Sequence, residues 1–112
     1  VDDDLSVAQM VADVVRFLKH QPVVETSSLT AITKWLREPR VGAVLADYLM
    51  PQMDGLEMLE VFREARPDVR RLLITAAPQE EPVRQAERDG LVGMVIAKPP
   101  SIGDIRMALA WL

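Results

Sequence analysis

Three short apolar runs, Ala43-Val44-Leu45-Ala46, Leu72-Leu73-Ile74 and Met94-Val95-Ile96-Ala97, are uninterrupted by polar residues and sit between segments with helical spacing. Strands read this way when helices cover both faces of a parallel sheet. Between the runs, apolar residues recur by three and four. Val7, Met10, Val11, Val14, Phe17 and Leu18 mark a helix over Leu5 to Lys19, and Leu29, Ile32 and Leu36 mark one through Thr30 to Arg37. Leu56, Leu59 and Phe62, then Val83 and Ala86, then Ile102, Ile105, Leu109 and Leu112 give three more. Val23-Val24 begins a further short strand that ends near Ser27. Alternating strands and helices with short connections predict a doubly wound α/β fold, a parallel sheet between two helical layers. Val1 leads straight into acidic residues, so the first strand is expected to be truncated and the sequence to be part of a longer chain.

Local signals set the element ends. Asp54 with Glu57, and Ser101 with Asp104, have capping-box spacing. Pro82 suits a helix's first turn, Gly90 its terminus, and Pro39 and Pro67 stop the helices before them. The segment between Thr75 and the last strand is short, which predicts a reduced fourth helix.

A chain of 112 residues suits one domain over 1–112. It has no cysteine, which excludes disulfides and thiolate metal sites and fits a reducing compartment. Its single histidine, His20, reads as a surface residue at a helix end. A net charge of -4 argues against direct nucleic-acid contact, and Arg70-Arg71 is no basic surface. No apolar run reaches the roughly 18 residues of a membrane span. A cytoplasmic protein without a membrane partner is expected.

Polar residues at the ends of the runs carry the chemistry. Asp2-Asp3-Asp4 opens the chain, Asp47 follows one apolar run, Thr75 closes the next and Lys98 follows the last. In a parallel sheet these positions converge at the carboxyl edge, where open α/β sheets bind ligands. Carboxylates that close repel one another, and a divalent cation removes that cost. Oxygen ligands favour Mg²⁺, with Mn²⁺ as a substitute. The alternative is that Asp2 to Asp4 only cap the first helix. Asp47 is the candidate nucleophile for a phosphoryl group. Lys98 would supply an ammonium to the phosphate and Thr75 a hydroxyl, although Thr75 also suits a plain strand-end cap.

These segments resemble the receiver domain of bacterial two-component response regulators. Val1-Asp2-Asp3-Asp4 is similar to that family's acidic opening, and Asp47-Tyr-Leu-Met-Pro-Gln-Met-Asp-Gly55 to its phosphoacceptor segment. Ile74-Thr75-Ala76 and Lys98-Pro99 resemble its threonine and lysine segments, and the separations between them also match. The resemblance implies a three-layer, five-stranded parallel sheet of flavodoxin-like order 2-1-3-4-5. It implies that Asp47 accepts phosphate from a histidine kinase, a phosphotransfer protein or a small phosphodonor, with Mg²⁺. Asp3, Asp47 and the Leu49 carbonyl would ligate the metal and Asp2 would act through water, while Thr75 and Lys98 hold the phosphoryl oxygens. Such a domain catalyses its own phosphorylation and dephosphorylation and switches an output domain, a partner or a homodimer. The Lys98-Pro99 bond is expected to be cis.

Two positions depart from the family pattern. Val95 stands where an aromatic ring commonly swings inward on activation, and Pro100 replaces a large apolar residue. Leu49 and Ala77 occupy the positions that modulate hydrolysis, and neither offers a polar group to position water. Two other function classes compete. An Mg²⁺-dependent aspartyl-phosphate phosphatase would need an acid where Leu49 stands, and a phosphorylation-independent receiver-like binding module would not need the complete site. Trp35 falls off its helix's apolar stripe and suits rim packing or a partner contact.

Overall fold

The computed structural model describes residues 1–111. Its elements are α1 Leu5–Phe17, α2 Ser28–Trp35, β1 Ala43–Asp47, α3 Gly55–Ala65, β2 Arg70–Thr75, α4 Glu81–Arg88, β3 Met94–Ala97 and α5 Ile102–Trp111. The strands form one parallel sheet in the order β1-β2-β3, with Asp47 opposite Ile74 and Thr75 opposite Ala97.

Successive residues on a strand point to opposite faces, and the sheet buries both. Val44, Ala46 and Leu73 pack with Ala31 of α2, Met58, Leu59 and Phe62 of α3, and Val83 and Ala86 of α4. On the other face Leu72, Ile74 and Ile96 pack with Ala108 of α5, joined by Ala43, Leu45, Met94 and Trp111. Helix α1 packs against α5. This is the expected three-layer α/β arrangement. None of the described helices is long and apolar enough to cross a membrane.

Among the described residues three strands form, whereas the sequence predicted five. The expected strand at Val23–Ser27 is irregular. Val1 still bonds β1 as a parallel neighbour would, its backbone nitrogen donating to Leu45 O at 2.6 Å and its carbonyl accepting from Asp47 N–H at 2.8 Å. On the far side, Asp2 N–H donates to Glu25 O at 3.1 Å. A ladder draws its strength from successive bonded pairs, and a single bond leaves Val23–Ser27 without one.

The helix ends follow the sequence signals. Asp54 and Glu57 form both arms of a capping box, and Ser101 and Asp104 form the same reciprocal pair, each bond 3.0 Å. Gly90, at φ 80°, ends the eight-residue α4, and Pro82 lies in that helix's first turn. Helix α2 begins earlier than the apolar stripe indicated because Ser27 caps it, accepting from Thr30 N–H at 3.3 Å. The expected inward position of Leu112 lies outside the described residues. Arg66 and Arg71 direct their guanidiniums to backbone carbonyls, Arg66 to Glu38 O and Val41 O and Arg71 to Val69 O and Leu91 O. These two charges close loops.

Phe62 is among the largest side chains buried without exposure to solvent, at the centre of the α2–α4 face. Truncating such a residue removes its transfer energy and leaves a cavity. Phe62→Ala is expected to lower unfolding stability by about 3–5 kcal/mol, read from urea titration. A loss within experimental error would contradict this core assignment.

Candidate functional site

The strand ends place four charged side chains together. Asp47 is the last residue of β1 and Lys98 follows β3 directly. Val1, bonded to β1, delivers Asp2 and Asp3 to the same edge. One carboxylate oxygen from each of Asp2, Asp3 and Asp47 lies within 4.8 Å of the others. Asp2 and Asp47 are buried, whereas Asp3 is exposed. Lys98 Nζ stands 2.9 Å from Asp2 Oδ2 and 2.9 Å from Asp47 Oδ1. Its backbone N–H donates to Thr75 O at 2.8 Å, and the Lys98-Pro99 peptide is cis, as expected.

Asp4 does not join the cluster. Its carboxylate caps α1, accepting from Ser6 N–H at 3.0 Å and Val7 N–H at 3.3 Å. The acidic run therefore divides: Asp4 caps the helix, and Asp2 and Asp3 cluster with Asp47. Thr75 reaches the same edge, buried, but its Oγ1 accepts from Ala77 N–H at 3.0 Å. That is the strand-end cap; the hydroxyl keeps its own proton to donate. Leu49 lies in the loop after β1 with its side chain 70% exposed.

Several supporting contacts carry no motif in the sequence. Gly55 N–H donates to Tyr48 O at 2.8 Å, and a Cβ at Gly55 would overlap the Asp47 carbonyl, so glycine is what lets α3 start against the end of β1. The buried Ser28 hydroxyl donates to Met53 O at 2.9 Å and lies 3.6 Å from Met50 Sδ, tying α2 to the loop beyond Asp47. Trp35 Nε1–H donates to Glu25 Oε2 at 2.8 Å. A tryptophan off the apolar stripe was the visible signal for this last contact, and its acceptor was not predictable.

The electrostatics follow from three clustered carboxylates, two of which share the Lys98 ammonium. Burial pushes the Asp47 carboxyl above its ordinary pKa; Lys98 opposes that shift, and the neighbouring Asp2 and Asp3 charges add to it. Burial works to lower Lys98, yet its close ionic contacts with Asp47 and Asp2 together outweigh burial and raise it. Both partners shift upward, Asp47 mainly because burial disfavours its charged form, and Lys98 because Asp47 and Asp2 together favour its charged form.

The donor set suits a hard divalent cation. It is made of carboxylate oxygens, and Asp2 Oδ2 is buried with an ionic neighbour but no hydrogen bond of good geometry. An unsatisfied buried oxygen favours any group that completes its coordination.

Comparison with known proteins agrees with this geometry. The family model described as "Response regulator receiver domain" matches residues 1–110, and the chain belongs to that family. Its acidic cluster is the phosphoacceptor type of site used in His-Asp phosphorelay signalling. The chain is 29% identical over 102 residues to a response regulator receiver protein of Anaeromyxobacter, covering 91% of this chain and 42% of that protein. It is 32% identical over 102 residues to the cyclic di-GMP phosphodiesterase response regulator RpfG of Xanthomonas campestris, covering 88% of this chain and 27% of that protein. Among solved structures, a CheY-like receiver domain protein from Methanospirillum hungatei superposes with a TM-score of 0.88 at 18% identity, covering 98% of this chain and 86% of that one. An adenylate cyclase structure from Rhodopirellula baltica gives 0.90 at 23% identity, covering 98% and 81%. The flavodoxin-like receiver fold is thereby shown. The chain spans 42% or less of the relatives described above.

A raised folded-state pKa means that the native state binds the Asp47 proton more tightly than the unfolded chain does. Stability therefore falls as pH rises from the unfolded through the folded pKa, and the ionised carboxylate costs stability at every higher pH. Asp47→Asn is expected to raise the melting temperature at pH 7 in EDTA, on the order of 4 °C per kcal/mol relieved. The gain should shrink in acid, where wild-type Asp47 is itself protonated. Calorimetry showing a lower melting temperature for the variant at pH 7 would contradict this balance.

Proposed function

We propose that Asp47 is the phosphoacceptor of this receiver, with Asp2 and Asp3 completing a Mg²⁺ site and Lys98 and Thr75 holding the transferred group. The observation that supports this most directly is Lys98 Nζ bridging Asp2 and Asp47 at 2.9 Å each, beside the exposed Asp3. A half-buried lysine between two buried carboxylates, with the exposed Asp3 beside them, is placed to follow negative charge wherever it appears. Mg²⁺, or Mn²⁺ in its place, would be held by Asp3, Asp47 and the Leu49 carbonyl, with Asp2 acting through water. When bound it neutralises charge on the phosphoryl oxygens.

The chemistry assigned to the chain is a single transfer. An Asp47 carboxylate oxygen attacks phosphorus, an O–P bond forms, and the donor's bond to phosphorus breaks with its electron pair leaving on the donor. The Lys98 ammonium moves onto a phosphoryl oxygen. The Thr75 hydroxyl donates to another, and that pull on the end of β2 is the first displacement of the switch. Val95 packs against the α2–α4 core and carries no ring, so an aromatic swing does not transmit the signal in this chain. A phosphatase reading loses ground because the residue two beyond Asp47 is Leu49, which supplies no acid for the leaving group.

The donor assigned is a histidine kinase or phosphotransfer protein, and the receiver acts in the cytoplasm. Residues 1–112 serve as one receiver domain of a longer protein that carries an output region or works through a homodimer. The relatives' greater length supports this. The intact sheet has five strands in the order 2-1-3-4-5. Val1 bonded to β1 and Asp2 bonded to Glu25 support that order, since they occupy the places of the first and second strands.

Incubation with acetyl phosphate and Mg²⁺ is expected to add the mass of one phosphoryl group to the wild type and none to Asp47→Asn, by intact-mass spectrometry. Full labelling of the variant, or an unlabelled wild type at saturation, would overturn the assignment. Leu49 and Ala77 offer no polar side chain to orient an attacking water, so the phosphorylated protein is expected to persist for minutes in Mg²⁺ buffer. A lifetime of seconds in the same mass assay would contradict that expectation.

A further inference from the structure

Helix α2 is linked to the acidic pocket by a path the sequence did not foreshadow. Trp35 closes α2, and its indole N–H donates to Glu25 Oε2 at 2.8 Å. The Glu25 backbone carbonyl accepts from Asp2 N–H at 3.1 Å. Asp2 is buried, its Oδ2 lacks a hydrogen bond of good geometry, and Lys98 Nζ stands 2.9 Å from that oxygen. Trp35 is thus two residues removed from the site and joined to it by hydrogen bonds.

The two sides of Asp2 are held differently. On the β1 side, Val1 is tied by two backbone bonds, to Leu45 and Asp47. On the outer side, the Glu25 carbonyl makes the backbone contact, and residues 21–25 have no regular ladder around it. What keeps that segment in place must then come in part from side chains. The Trp35–Glu25 bond is charge-assisted, and bonds to an ionised group are the stronger kind. An indole can only donate, so Trp35 gains little from any arrangement in which Glu25 moves away.

We propose that Trp35 is a positioning residue for the divalent-cation site, acting through Glu25 on Asp2. This rests on the cation reading above and adds to it a specific outer support. Asp47 and Lys98 are carried by β1 and by the end of β3, so they do not depend on this path. Loss of the Trp35 donor should therefore weaken cation binding while sparing the transfer step itself. Residues that orient metal ligands from outside commonly change affinity by about 10–100-fold, and a support one residue further out should fall at the lower end.

Two tryptophans make the test internally controlled. Trp111 lies at the opposite end of the sheet, stacked over by Arg70 at 4.8 Å and set against Gly93. Mg²⁺ is titrated into the full chain while the backbone amides and both indole N–H signals are followed by NMR. In the wild type, the Trp35 indole and the Asp2 amide should shift with one dissociation constant, and the Trp111 indole should stay still. Trp35→Phe keeps an aromatic ring and removes the donor. It should raise the Mg²⁺ dissociation constant about tenfold, and raise equally the Mg²⁺ needed for half-maximal phosphorylation by acetyl phosphate. The rate at saturating Mg²⁺ should stay within about twofold, because the nucleophile is untouched.

An unmoved Trp35 indole, or a Trp35→Phe protein with the wild-type dissociation constant, would overturn the relay. So would a variant that loses thermal stability in EDTA without losing affinity, since the contact would then only pack α2. Should none of the Asp2, Asp3 and Asp47 amides respond to Mg²⁺, the cation reading fails first and the relay with it. That result is distinguishable from a wild-type response that Trp35 does not share.

Discussion

Burial of both faces of the β1–β2–β3 sheet leaves its polar side chains one place to go, the ends of the strands. Ala46 and Leu73 are fully enclosed, and Val44, Leu72, Ile74 and Ile96 nearly so. A charge anywhere along those strands would have to be stripped of water without a partner. At the carboxyl edge Asp47 and Lys98 find each other, and Asp2 shares the ammonium. The site is thus a consequence of how the core is built.

The same packing makes the site electrostatically unbalanced. The Lys98 ammonium pairs with two buried carboxylates, and the exposed Asp3 adds a third to the cluster. Burial first, and then the neighbouring Asp2 and Asp3 charges, raise the Asp47 carboxyl against the opposing pull of Lys98, so the pocket favours positive charge. Under the function proposed above, a phosphoryl group on Asp47 would change which anion Lys98 prefers; the Lys98 backbone N–H is bonded to the Thr75 carbonyl at the end of β2. Val95, half-buried against the core, carries no ring at that position.

Much of this was legible along the chain. The apolar runs identified three strands, because a strand buried on both faces needs no partner to look buried. The capping pairs at Asp54 and Ser101 identified helix starts, because a cap is a local bond between residues three apart. Asp2, Asp3, Asp47 and Lys98 were each visible as charges ending apolar runs. The Val23–Ser27 segment, expected as a strand, is irregular for the opposite reason. Its regularity depends on a neighbouring strand, and Asp2 supplies it one backbone bond.

The sequence by itself determined which residues could do chemistry and at which edge they would lie, since strand ends and helix caps are set by neighbours in the chain. Tertiary structure alone decided that Asp2 faces Lys98. It alone brought Gly55 against the Asp47 carbonyl, Ser28 to Met53 and Trp35 to Glu25. Such contacts join residues whose spacing carries no period. Which donor meets which acceptor is settled only when the helices pack on the sheet and each buried polar atom must find a partner.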